Sequence, residues 1–137
     1  MNAALQFQAS VEAGDIVGAT AFFADDITLH SPVRFKPFEG IDAVRALFGV
    51  LQRTFEDFRY VGRYDGPNGH VLHFRTVVGG KQVEGVDLVE LDEDGRIGTF
   101  TVMIRPQSAL TAVGEAIWAG LVADGVVPAS AARGTPG

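Results

Sequence analysis

Between Ile41 and Phe55, the apolar residues Ile41, Val44, Leu47, Phe48, Leu51 and Phe55 recur at spacings of three and four, with Asp42 and Arg45 opposite them. That period predicts an amphipathic helix over residues 41–55. Earlier, Ala4, Phe7 and Val11 form an apolar stripe over residues 2–13; Asn2 can cap this helix and Gly14 can end it in a left-handed conformation. Asp15 is placed to cap a short second helix over residues 16–23, closed by Asp25 and Asp26. The period drops to two at Ile27-Thr28-Leu29-His30-Ser31, a strand that ends at Pro32 because proline cannot donate to a ladder. Residues 33–40 read as a loop whose Phe35 and Phe38 can cover an apolar opening. Four longer alternating runs follow, at 58–65, 70–78, 81–91 and 96–105, joined by glycine-containing turns. Short turns between long strands predict an antiparallel meander. Beyond Pro106, Ser108 can cap a last helix to Val122 with Leu110, Val113, Ile117 and Leu121 on one side.

Three helices interrupted by one strand, then four strands and a C-terminal helix, predict an α+β fold with helices against a strongly curved sheet. The 137-residue length and 47% apolar composition fit one ordered domain, over residues 1–123, with a flexible tail at 124–137 rich in Pro, Gly, Ala and Ser. A net charge of −6 with scattered basic residues argues against nucleic-acid and anionic-membrane partners. The absence of cysteine excludes disulfides and thiolate chemistry. The N-terminus lacks a signal-peptide pattern, so the cytoplasm is the expected compartment. The three histidines lack the mutual spacing of a metal site, and no cofactor is expected.

Strand parity sorts the remaining residues. Leu72, Phe74 and Thr76 share a face opposite His73 and Arg75; Phe100, Val102 and Ile104 share one opposite Thr101 and Met103. On the run 81–91, Asp87 is the anomaly, a carboxyl on the otherwise apolar face of Val83, Gly85, Val89 and Leu91. A buried carboxylate must protonate or find a partner, so Asp87 is either a partly wet structural residue or a cavity group. Tyr60 shares a face with Phe58 and Tyr64 and can reach a cavity or a rim. Parity turns His30 away from Leu29 and Ser31, although a twist at Pro32 could bring it inward. His70, beside a turn, is expected in solvent. Trp118 is a packing residue, a lid or a ligand platform.

Gly14-Asp15-Ile16, the stretch from Phe23 to Pro32, and Gly85 to Ile97 with its Asp92-Glu93-Asp94-Gly95-Arg96-Ile97 turn resemble, in order and spacing, the superfamily of nuclear transport factor 2, ketosteroid isomerase and the SnoaL-like polyketide cyclases. The resemblance covers roughly residues 5–104. It implies a cone-shaped, cystatin-like α+β barrel, its antiparallel or mixed sheet wrapped around three N-terminal helices and a C-terminal helix, with a deep apolar cavity. It aligns Asp87 with the aspartic acid that ketosteroid isomerases keep protonated as a hydrogen-bond donor. Ser31 stands where those enzymes carry their general base, and Phe7 where they carry their oxyanion tyrosine, so plain ketosteroid isomerisation is not expected. The two aspartates bridged by an arginine of limonene epoxide hydrolases are also missing: Arg75 and Asp87 face opposite ways, and Phe100, Val102 and Ile104 stand near the end of the last strand where a second inward aspartate is needed.

The resemblance implies a small apolar ligand held by Phe7, Leu29, Tyr60, Leu72, Phe74, Phe100, Val102 and Trp118. In the catalytic version, a cofactor-independent isomerase, cyclase or dehydratase, Asp87, Ser31 and His30 serve proton transfer next to a carbonyl. In the alternatives the fold is a noncatalytic binding module or a dimeric interaction protein. A homodimer is expected, through the outer sheet face that carries His73, Arg75, Val77, Val86, Leu88 and Met103.

Overall fold

The computed structural model describes residues 2–127. Helix α1 (Ala3–Glu12) begins where the Asn2 side chain accepts the Leu5 N–H at 3.0 Å. It ends in a Schellman closure, with Gly14 at φ 87° and the Asp15 and Gly14 N–H groups donating to the Ser10 and Val11 carbonyls. The expected second α-helix is instead a 3₁₀ helix, Gly18–Phe22. The Asp15 carboxylate accepts the Gly18 N–H at 2.8 Å and occupies the space that any side chain at position 18 would need. Phe23 already belongs to the first strand, β1 (Phe23–His30), so Asp25 and Asp26 are strand residues, in an irregular stretch of the pairing.

The segment expected as a loop contains β2 (Phe38–Glu39), paired antiparallel to β1. Helix α2 (Ile41–Thr54) leads into the meander β3 (Glu56–Gly66), β4 (Gly69–Val78), β5 (Lys81–Leu91) and β6 (Ile97–Arg105), and α3 (Gln107–Ala123) follows. The strand order is β2-β1-β6-β5-β4-β3, and only the β1–β6 pair is parallel. The result is a curved, mixed six-stranded sheet with three α-helices among the described residues, one fewer than expected.

Four phenylalanines tie the layers together. Phe7 of α1, Phe23 of β1, Phe48 of α2 and Phe100 of β6 have ring centroids 5.2 to 6.2 Å apart. Gln52 of α2 fixes the junction after α1, accepting the Ile16 and Val17 N–H groups at 2.7 and 3.1 Å and donating to the Gly14 carbonyl. Helix α3 packs closely on α2 because Gly120 faces Val50, where a β-carbon would collide. Pro106, not Ser108, precedes its first turn.

Asp124 to Val127, assigned to the tail from composition, are tied back. Gly125 at φ 73° closes α3 with Val126 N–H donating to the Leu121 carbonyl, and Arg53 Nη2 meets Asp124 Oδ1 at 2.7 Å. The rest of the expected tail, 128–137, lies outside the described residues.

Candidate active site

The helices and the inner sheet face line a partly open apolar pocket of about 50 Å³. Its walls come from the stripes that build the core: Phe7 and Val11 of α1, Leu47, Phe48 and Leu51 of α2, Val113 and Ile117 of α3, and Leu29, Phe74, Phe100, Val102 and Ile104 of the sheet. One enclosed water requires ~10–15 Å³, so the space suits a compact group.

Two polar side chains meet in this wall. Asp87 is 5% exposed, and its Oδ2 accepts a hydrogen bond from the Tyr60 hydroxyl at 2.7 Å. The pair spans three strands. Tyr60 on β3 lies opposite Phe74 on β4, Phe74 opposite Gly85 on β5, and Asp87 is two residues on from Gly85. Gly85 makes this possible, because a β-carbon there would run into the Phe74 ring and the Met103 carbonyl. Phe58 steadies Tyr60 edge-on at 5.2 Å and stacks on Phe74 at 5.0 Å.

Burial pushes the Asp87 carboxyl from 3.8 up to about 7, and the hydrogen bond from Tyr60 works against that rise. Burial, then the neighbouring Asp87 charge, hold the Tyr60 phenol well above its ordinary value. Near neutral pH the cavity therefore carries one carboxyl able to take or give a proton, beside a phenol that stays protonated.

Of the expected wall residues, Phe7, Leu29, Tyr60, Phe74, Phe100 and Val102 line the cavity. Leu72, paired with Asp87, is wholly buried in the core and contributes no wall. Trp118 is half-buried on the flank of α3, off the Val113–Ile117 stripe that faces the cavity. Ser31 stands at the mouth, its hydroxyl accepting the Val33 N–H at 3.4 Å, with no hydrogen bond to Asp87. His30 lies outside the cavity because pairing with Thr101 keeps the strand's alternation to its end. Phe55 and Phe58, not singled out as ligand contacts, join the wall; their signal was the aromatic run closing α2 and opening β3.

His70 is only partly exposed and is hydrogen-bonded. Nδ1 lies 2.6 Å from Asp65 Oδ1, and Nε2 is 3.3 Å from Asn2. On the outer face, Glu84 gathers Arg105 at 2.7 Å, His73 at 2.8 Å and Arg75 at 3.3 Å, and the first two hydrogen bonds lead in holding its carboxyl down at about 2. Among the described residues, no cluster of three His, Cys, Asp or Glu side chains is placed to hold a metal, and no helix is long and apolar enough to cross a membrane.

The model of the SnoaL-like domain matches residues 4–99. No curated protein sequence matches the chain significantly. Among solved structures, a steroid delta-isomerase from Pseudomonas aeruginosa is 29% identical, covering 91% of this chain and 93% of its own, with a TM-score of 0.83. A protein of cystatin-like fold from Silicibacter pomeroyi DSS-3 is 30% identical, covering 90% and 88%, also at 0.83. The epoxide hydrolase/cyclase-like enzyme SalBIII shares the fold at 17% identity and a TM-score of 0.64, covering 78% and 90%.

Proposed function

Because the chain belongs to the SnoaL-like domain family, we propose that its cavity takes the carbonyl end of a small apolar compound and moves a proton beside that carbonyl without a cofactor. The observation that carries this reading is the Tyr60–Asp87 hydrogen bond of 2.7 Å inside an apolar wall. The likeness to a steroid delta-isomerase supports the reaction class. In this mechanism the ionised Asp87 takes a proton from the carbon next to the carbonyl. The electron pair moves into the carbonyl to give an enolate, and Asp87 returns the proton at another carbon. Once Asp87 is protonated it is a weaker acceptor, so the Tyr60 hydroxyl turns to the enolate oxygen; one oxyanion donor of this kind is worth ~3–4 kcal/mol. A single pair thus covers the roles left open by Ser31 and Phe7.

Small β,γ-unsaturated ketones such as 3-cyclohexenone test this. Migration of their double bond into conjugation is read by ultraviolet absorbance. The wild type is expected to exceed the buffer rate, Asp87→Asn to abolish the excess, and Tyr60→Phe to reduce it. Equal rates in wild type and Asp87→Asn would overturn the assignment. A noncatalytic binding module is the second reading, favoured by Ser31 making no hydrogen bond to Asp87; phenol binding without turnover would support it. Homodimerisation through the outer face is proposed from the resemblance, and light scattering tests it.

A further inference from the structure

Strand β1 stops at His30, opposite Thr101, and Pro32 turns the chain away. Among the described residues, the edge of β6 from Val102 onward has no strand partner on that side. A groove of about 420 Å³ opens there, lined by His30, Arg34, Phe35, Thr101 and Met103, together with Ser31, Pro32, Val102 and Ile104, which also line the cavity. Groove and cavity therefore share a wall at the mouth. The cavity holds only about 50 Å³, and the groove borders it through the shared residues Ser31, Pro32, Val102 and Ile104, so the groove is placed to take the rest of a ligand whose carbonyl reaches Asp87.

The chemistry of the groove says what that remainder is. The chain is acidic overall, at −6, yet among the described residues no Asp or Glu lines this surface, whereas an arginine and a histidine do. Arg34 is held in place on this surface. Its guanidinium lies 4.6 Å over the Phe38 ring, and its Nε donates to the Lys36 carbonyl at 2.9 Å. Those contacts orient the fork, and Arg34 belongs to none of the ion pairs among the described residues. Its terminal nitrogens present the geometry that matches a carboxylate. His30 adds an imidazole N–H donor. Phe35, 88% exposed, supplies apolar surface for an alkyl linker. Val33 packs against Gly114 of α3 and roots this loop beside the cavity.

The geometry points to a two-part ligand, an apolar carbonyl head in the cavity and an anionic carboxylate tail on Arg34 and His30 in the groove. The inference rests on the proposed function for its head group and adds the class of substrate, an apolar oxo acid.

Phenol, a planar mimic of an enol, probes the head alone. 4-Hydroxyphenylalkanoic acids of increasing chain length, with their primary amides, probe head and tail together, by calorimetry or by NMR. At the best length the acid is expected to bind about tenfold more tightly than its amide, as a charge-assisted hydrogen bond allows, with the preference shrinking as salt is added. Arg34→Gln should abolish the preference while leaving phenol affinity unchanged, and Arg34→Lys should restore part of it. If acid and amide bind equally at every length, if the preference survives Arg34→Gln, or if nothing binds, the inference fails. Loss of phenol binding with an intact Arg34-dependent acid preference would instead refute the head-group reading and leave the groove standing.

Discussion

Asp87 is a destabilising residue above neutral pH, and the effect can be sized. The unfolded chain ionises this carboxyl near 3.8, whereas the folded chain holds its proton up to about 7. Between those values the folded state binds a proton the unfolded state has released, so stability falls as pH rises through that window. Once the group is ionised in both states, the cost is about 4 kcal/mol, at about 1.4 kcal/mol per tenfold change in proton affinity. Asp87→Asn removes the titration while keeping an oxygen that accepts from Tyr60. Its unpaired amide adds a penalty of about 1–3 kcal/mol that does not depend on pH. The informative quantity is therefore the change in the difference between the two proteins. From about pH 4 to about pH 9, wild type should lose roughly 4 kcal/mol relative to Asp87→Asn. Urea unfolding at a series of pH values measures this, and Glu84 and Asp65 cancel because both proteins carry them. A difference that stays flat across pH would mean that Asp87 ionises normally in the folded state, and the acid-base role would fall with it.

Three further outcomes are expected. Tyr60→Phe removes the hydrogen bond that opposes the rise, so the Asp87 midpoint should move above about 7, read by the pH dependence of its carboxyl carbon resonance. Gly85→Ala would push a methyl group into the Phe74 ring and the Met103 carbonyl, costing about 1–3 kcal/mol in urea and displacing the Tyr60–Asp87 pair, with loss of any Asp87-dependent activity. Glu84→Gln should remove stability that wild type possesses above about 4.5 and loses as pH falls towards about 2, a difference that thermal melts should show weakening in high salt because the Glu84 network is exposed.

Periodicity exposed the parts of the fold whose packing repeats. The α2 stripe, the meander and the inward face of Asp87 all follow from spacings of three and four or of two, because one side of each element is buried. The 3₁₀ helix did not show, since Ile16, Val17, Ala19 and Phe22 suit an α-helix; the side chain of Asp15 closing on Gly18 decided the tighter turn. Strand β2 is two residues long and has no period to read. Tyr60 was ambiguous between cavity and rim until the β3–β4–β5 register placed it across Phe74 and Gly85 from Asp87. Cavity volume was beyond the pattern altogether, because it depends on how four phenylalanine rings interlock, as does the position of Trp118 beside the lining stripe.

The parallel pairing of β1 with β6 also orders assembly in time. Leu29 is synthesised long before Phe100, the residue it sits against, so the amino-terminal third must wait, its phenylalanines unshielded, until the meander has emerged and zipped through local contacts. The hollow is consequently the last thing to exist. Pulse-labelled hydrogen exchange is expected to protect the β4 and β5 amides before those of β1, and a ribosome-stalled chain ending before β6 should be a chaperone client.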